Sequence, residues 1–473
     1  MATPALTTGN KVTYGLGQFA WAAKDTSFHY FLFFYYTQMM GLSASLAGLA
    51  ALLALVADGI SDPLIGQLSD NWKRGKWGRR HPFMMVAVVP FCLSLIAIFN
   101  PPADISQQAL FAWYLGWAIT VRTFLTMFTV PHMALGAELT DDYRERTSVS
   151  TFRNLLGYVG GLSMQVTTWF VLIPAATAAG AVAAGYRNVG YLGAGIALVG
   201  MLIAIFGTRK RIPYLVETSS TQQSRAWYLA FSDVFGLLKH QSARTMLFGT
   251  FLVVTAMGIN NTLLLHINNF FYGFSAEQNG IFMLMIFFAL LPSSWLAAQG
   301  VRRFGKPKAV VALIAITALL QPFAPMAHLY GLTPAVGTTA LLVFVAGSVV
   351  IHQAFYIAYI NVSGALLPDV ADELEIESGL RQEGMLNSAT MLAQKVTFGL
   401  GSFFAGLTID FAGFENVTVI DDVTQEMVTR LAWVYGPGIM LMLLAAAFMY
   451  SRYRITEQRY AEIRRQLDSK PAL

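Results

Sequence analysis

Asp58 and Asp62 stand four residues apart in the stretch Ala57-Asp58-Gly59-Ile60-Ser61-Asp62-Pro63-Leu64-Ile65-Gly66. On a helix this spacing puts both carboxylates on one face. Upstream, Leu46 to Val56 carries no charge. Downstream comes a basic block with Lys73, Arg74, Lys76, Arg79 and Arg80. If the segment crosses a bilayer between Ser43 and Leu68, Asp58 lies near mid-depth. Asp62 is then ~6 Å nearer the basic end, at ~1.5 Å per residue. Ionised groups at that depth are costly, so they face a polar cavity and act there. The chemistry open to such a pair is to take up and release a positive ion in step with a solute.

Composition puts the segment in lipid. The chain has 473 residues, of which 55% are hydrophobic and 12% charged, and its mean hydropathy is +0.53. Soluble domains have about a quarter of their residues charged. An integral membrane protein is therefore expected, with the lipid bilayer as its partner. The 34 Phe and 40 Gly suit helices packed in lipid. A net charge of +5 does not point to nucleic acid, because the basic residues cluster between apolar runs. Cys92 is the one cysteine, so no internal disulfide forms. Met1 to Asn10 has no basic start and no cleavage pattern, and no signal peptide is expected.

Runs near ~20 apolar residues mark bilayer crossings. Twelve are found: 14–40, 43–68, 82–100, 108–136, 149–176, 189–208, 245–272, 276–299, 309–328, 334–366, 385–411 and 429–451. Polar residues interrupt the fifth and seventh. Lys and Arg crowd the connections after the second, sixth and eighth runs and the tail, whereas 101–107 and 329–333 hold none. Both termini are thus expected in the cytoplasm, with the chain in a bacterial inner membrane. The longest connection divides the runs six and six. The expected organisation is a bundle over 1–208, a linker over 209–244, a second bundle over 245–452 and a tail over 453–473. Within the linker, Ala226 to Leu238 reads as an amphipathic helix, on the membrane face or solvated.

The halves echo each other. Gly78-Arg79-Arg80 follows the second run, and Arg302-Arg303-Phe304-Gly305-Lys306 follows the eighth. Glu138 to Arg146 follows the fourth, and Leu367 to Glu373 follows the tenth. Such pairs fit two parallel six-helix halves, the layout of the major facilitator superfamily. In that pattern, charged cytoplasmic loops form ion-pair clusters that close the inner side. The candidates are Asp70, Arg79, Arg80, Glu138 and Arg146, with Asp369, Arg381, Asp372 and Glu383 in the second half.

At finer grain, Asp58 to Gly66 together with Trp77-Gly78-Arg79-Arg80-His81-Pro82-Phe83 resembles the signature of the melibiose permease-like glycoside–pentoside–hexuronide:cation symporters. Phe34-Tyr35-Tyr36-Thr37 with Gly41-Leu42, Glu145-Arg146-Thr147 with Arg153, and Pro368-Asp369 with Arg381-Gln382-Glu383-Gly384 extend the likeness. The resemblance implies an all-α membrane protein of twelve helices in two six-helix bundles. It implies no enzymatic activity. It implies symport of a sugar, glycoside or hexuronide with H+ or Na+, bound mid-membrane and moved by alternating access. Asp58 and Asp62 match the family's cation pair, Arg153 and Lys395 match site cations, and Asp25 lies within one helical turn of a sugar-contacting aspartate. The family has an acidic residue two positions before the proline of the fourth run. Here Thr129 precedes Val130-Pro131, leaving a hydroxyl for the cation site. Arg122, seven residues earlier, shares the face of Thr129.

Three intramembrane acids, Asp25, Asp58 and Asp62, face four bases, Lys24, Arg122, Arg153 and Lys395. Buried charges pair, which leaves little negative charge for Na+ and favours proton coupling or an anionic substrate. Sugar recognition needs hydrogen-bonding forks and an aromatic face; Trp117, His29, His132 and Tyr356 are candidates, beside Thr126 and several asparagines. The scattered His residues have no zinc spacing, and no phosphate-binding loop is present. No metal, cofactor or ATP-driven step is expected beyond the coupling ion, and a monomer is expected. The rival readings are a carrier of lysolipid or another amphiphile, a channel, and an intramembrane enzyme.

Overall fold

In lipid, backbone polar groups must be satisfied within the protein, and helices do this segment by segment. The computed structural model describes residues 6–72, 75–215, 236–378, 383–414, 417 and 423–468. Among them there is no strand, only an isolated bridge between Gly75 and Gly78. Helix α1 runs over 8–39, α2 over Ala44–Asp70, α3 over His81–Ile98 and α4 over Gln107–Glu138. Helix α5 starts as Tyr143–Thr167 and passes through a π turn, Thr168–Leu172, into Ile173–Ala178; α6 is Val182–Arg209. Next come α7, Gln241–Phe271, and the stretch Ala276–Leu329, which holds α8 and α9. The break between those two is Gly305, whose φ of 73° is one that glycine adopts without strain. Then follow α10, Thr339–Gly364, α11, Leu366–Ser378, and α12, Glu383–Ala412. Helix α13 is Gln425–Ser451, and α14 is Glu457–Asp468.

Each of the twelve expected runs coincides with one of α1–α10, α12 and α13. Among the described residues, eight helical stretches are long and apolar enough to cross a membrane, and one of these holds both α8 and α9. Helices α1, α4 and α12 are as long but carry charge inside: Lys24 and Asp25, Arg122, and Lys395 and Asp410. The surface is inverted relative to a soluble protein. Val86, Val89 and Leu93 on α3 are 57%, 61% and 59% exposed, while Lys24, Asp58 and Arg122 are buried. Such a surface is stable only against hydrocarbon.

The chain divides into two compact units, Met1–Trp227 and Tyr228–Leu473. Their internal packing follows one plan. In the first unit, α1 packs on α5 and α6, α2 on α4, and α3 on α4 and α6. In the second, α7 packs on α12 and α13, and the α8–α9 stretch packs on α10 and α13. Glycines permit the closest crossings. A Cβ on Gly258 of α7 would lie 2.6 Å from the Phe398 carbonyl oxygen of α12 and 3.0 Å from the Gly401 Cα. In the first unit, a Cβ on Gly200 of α6 would lie 2.5 Å from the Leu16 carbonyl oxygen.

Of the amphipathic linker piece, only 236–238 falls within the described residues. The tail beyond 453 is more than a solvated end: α14 docks on α11, with Ile463 fully buried and Arg464 Nη1 3.5 Å from Asp372 Oδ2.

Candidate functional site

Helix α2 presents Asp58 and Asp62 to α4. Pro63 lies inside α2. Lacking an N–H, it leaves the Gly59 carbonyl, between the two aspartates, without its helical donor. The Thr126 hydroxyl of α4 lies 2.8 Å from Asp62 Oδ1 and 3.3 Å from Asp58 Oδ1. One turn earlier on α4, Arg122 Nη1 lies 3.6 Å from Asp58 Oδ2. Arg122 is 6% exposed, and its Nε has no hydrogen-bond partner among the described residues. A buried guanidinium beside a carboxylate holds its place strongly, because removing either partner strands a charge, at a cost of about 3–5 kcal/mol.

Helix α1 supplies a second charge group. Asp25 Oδ2 lies 3.2 Å from His29 Nδ1, and Asp25 Oδ1 lies 3.7 Å from Lys24 Nζ. Phe28 sits between the two groups. Its ring centroid is 5.2 Å from the Arg122 guanidinium carbon and 5.8 Å from Lys24 Nζ. Nothing in the sequence singled out Phe28. An aromatic one turn after a lysine is ordinary on a membrane helix, and only the meeting of α1 and α4 brings it under Arg122. The result is an aromatic face flanked by carboxylate, imidazole and two cations, chemistry suited to a polyhydroxylated solute.

Other candidates stand elsewhere. Thr129 is half-buried and makes no side-chain hydrogen bond among the described residues; the hydroxyl that meets the aspartates is Thr126. His132 is 1% exposed, stacked between Tyr14 at 4.4 Å and Phe128 at 5.3 Å. Its Nε2 lies 2.8 Å from the Tyr14 carbonyl oxygen, which can only accept. His132 thus packs between α1 and α4, with its Nδ1 buried and without a hydrogen-bond partner among the described residues. Arg153 contacts Asn154 at 3.3 Å and lies within hydrogen-bond reach of the Tyr14 side chain. Trp117 meets Trp113 edge-on at 5.7 Å. In the second unit, Lys395 is half-buried on α12, and Tyr356 stacks on Tyr359 at 6.3 Å.

Of the loop charges, several pair within their own unit, and Arg146 does not join them. Glu138 Oε1 at the end of α4 accepts from Arg79 Nη2 at 2.7 Å and from Arg80 Nη2 at 2.9 Å. Arg80 also donates to Ser69 Oγ at 2.9 Å and pairs with Asp70, so α2, α3 and α4 are tied at one end. Arg146 is not part of this cluster. Its Nε donates to the Thr140 carbonyl at 2.9 Å and it pairs with Asp141 at 3.6 Å, because the turn before α5 points it back on its own loop. In the second unit, Lys306 Nζ bridges both Asp369 oxygens at 2.9 Å. Arg381 lies outside the described residues. Among those described, no group of three His, Cys, Asp or Glu could hold a metal ion.

The profile of a family described as MFS/sugar transport protein matches residues 13–457. The putative glycoside/cation symporter YagG of Escherichia coli (strain K12) is 24% identical, over 98% of this chain and 95% of its own length. The isoprimeverose transporter of Lactiplantibacillus pentosus is 22% identical, over 98% of this chain and 92% of its own. In fold, the crystal structure of a D-xylose–proton symporter superposes with a TM-score of 0.63, at 15% identity and covering 95% of this chain and 98% of that one.

Proposed function

The chain belongs to the MFS/sugar transport protein family, and on that footing we propose that it is a secondary active symporter taking up a sugar, glycoside or hexuronide with a cation. It is an integral membrane transporter. The observation that carries the finer reading is the convergence of Asp58, Asp62 and Arg122 on one buried face around the Thr126 hydroxyl. No packing role calls for two carboxylates there, and buried charge inside a membrane helix marks an ion or solute path. Two relatives that match along nearly their whole length are named for glycoside/cation symport and isoprimeverose transport, which supports a sugar-like solute.

In this reading Asp58 and Asp62 are the coupling centre. The Phe28 ring with Asp25, His29 and Lys24 is the sugar face of the first unit. The clusters around Glu138 and Asp369 hold the cytoplasmic helix ends of their units closed between transport steps. The protein lies in a bacterial inner membrane with both termini inside, it moves solute by alternating access, and no catalytic step is assigned to it.

The test is accumulation against a gradient. Asp58→Asn and Asp62→Asn each abolish concentrative uptake in cells or proteoliposomes, while the purified variants stay monodisperse. Full accumulation by both variants removes the pair from the mechanism.

A further inference from the structure

We propose that the end of α6 and the start of α3 form a seat for the phosphate of an anionic phospholipid, with Arg209, Lys210 and Lys76 as its cations and Trp77 as its wall. The seat lies in the first unit, apart from the aspartate pair, and stands whether or not the symport reading does.

Three observations carry it. First, contacts between distant segments assemble the basic residues. The Arg209 guanidinium carbon, at the end of α6, lies 4.0 Å from the centroid of the Trp77 ring, in the connection before α3. Lys76 and Lys210 are the chain neighbours of these two, so three cations gather at one place. Two further contacts hold the seat together. His81 Nε2 at the start of α3 lies 2.9 Å from Thr208 Oγ1 of α6, a hydrogen bond. Gly78, at a φ of 67°, lets the connection press on Ile212, whose Cγ2 would stand 3.3 Å from a Cβ there.

Second, the protein supplies these cations with no acid. Lys76, Arg209 and Lys210 are exposed. Among the described residues none of the three makes an ion pair or a side-chain hydrogen bond. Asp70 and Glu138, at the neighbouring helix ends, are engaged by Arg79 and Arg80. A guanidinium over an indole ring keeps its N–H edges available, and that fork fits a phosphate.

Third, the surface that leads to the cations is apolar. Val199, Ile203 and Phe206 of α6 are exposed, and with Lys210 they follow the spacing of one helix face. That face runs from hydrocarbon to charge. A free anion gains nothing from it, whereas a phospholipid covers it with an acyl chain while its phosphate meets the cations. A zwitterionic headgroup would bring its own ammonium against Lys76, Arg209 and Lys210, so the charge selects an anionic one.

The experiment uses the purified full chain in a neutral detergent and phosphatidylglycerol as the probe, so it needs no knowledge of the solute. Thermal unfolding is followed as lipid is added. Phosphatidylglycerol raises the melting temperature by roughly 2 °C or more, as a ligand of the folded state does. Phosphatidylcholine and glycerol 3-phosphate at the same concentrations do not. In Lys76→Gln/Lys210→Gln the half-effect concentration of phosphatidylglycerol rises roughly tenfold or more, at several-fold for each basic residue near an anionic group. Both side chains are exposed, so this variant keeps its fold. Trp77→Leu, which removes the support of Arg209, moves it the same way. Arg302→Gln/Arg303→Gln, in a basic segment of the second unit, responds as wild type does. Equal shifts with phosphatidylglycerol and phosphatidylcholine overturn the proposal. So does the full shift with glycerol 3-phosphate, which would make the occupant a free anion. A wild-type response from Lys76→Gln/Lys210→Gln overturns it, and so does an equal loss in Arg302→Gln/Arg303→Gln, which would show diffuse attraction rather than a seat. Should Trp77→Leu not fold, the lysine pair decides alone.

Discussion

Thr126 and Thr129 differ by three residues on α4, yet only Thr126 meets the aspartates. Thr129 lies ~4.5 Å further along the axis and is turned ~60° from Thr126. Helix α2, which carries both carboxylates, packs on the Thr126 side. A hydrogen bond to an ionised group contributes about 1.5–3 kcal/mol, and about 1.4 kcal/mol is tenfold in an equilibrium. Thr126→Ala is therefore expected to lower the ratio of internal to external solute by about tenfold or more. Thr129→Ala should change it by less than about twofold, within the usual range for a side chain with no polar partner. Uptake to steady state in cells expressing equal amounts of the two variants measures the difference. The sequence placed both threonines on the correct helix. It did not decide between them, because the choice depends on the rotation of α4 against α2.

Among the elements, the helices that meet most closely are those with glycine at the crossing. A Cβ at Gly401 of α12 would stand 2.4 Å from the Thr255 carbonyl oxygen of α7, and one at Gly258 would meet Phe398 and Gly401 in return. Neither obstacle is a flexible side chain, so the backbones themselves must part. Overpacking of this kind costs typically about 1–3 kcal/mol. Gly258→Leu is expected to lower the melting temperature of the purified protein, whereas Gly195→Leu on α6, where nothing lies within 4 Å, leaves it unchanged. A shared melting temperature would show that α7 and α12 can separate freely. One π turn, Ser27–Leu32, includes Phe28 and His29, two residues of the proposed site. The extra residue of such a turn shifts which side chains share a face, and no apolar periodicity announces it.

At the scale of the whole molecule, the two units repeat one packing plan and one charge device. The device is an acid held by a base from the connection after the second helix of its unit: Glu138, at the end of α4, by Arg79 and Arg80, and Asp369, in the first turn of α11 just after α10, by Lys306. The distribution of Lys and Arg gives the side on which these devices are expected to lie. A reporter active only outside the cytoplasm is therefore expected to be silent when fused after Ser451 and active when inserted at Leu332. The reverse pattern would place Glu138 and Asp369 outside and overturn the proposal that they act as inner gates. The second unit adds a feature with no counterpart among the described residues of the first, the docking of α14 on α11 through Ile463 and Arg464.

The run of apolar residues determined the twelve crossings, because hydrocarbon thickness and the need for internal hydrogen bonding leave a chain of this composition few other choices. The spacing of Asp58 and Asp62 determined that they share a face, and the charge of the loops determined an expected orientation. Contacts between helices are a different kind of information. That Arg122 meets Asp58, that Thr126 and not Thr129 meets both aspartates, that Phe28 lies under Arg122 and that His132 is locked between two rings all depend on rotation and crossing angle. Those quantities are set by glycine-permitted approach and side-chain packing between segments distant in the chain. Local periodicity carries no record of them, and they became legible only once the helices were assembled.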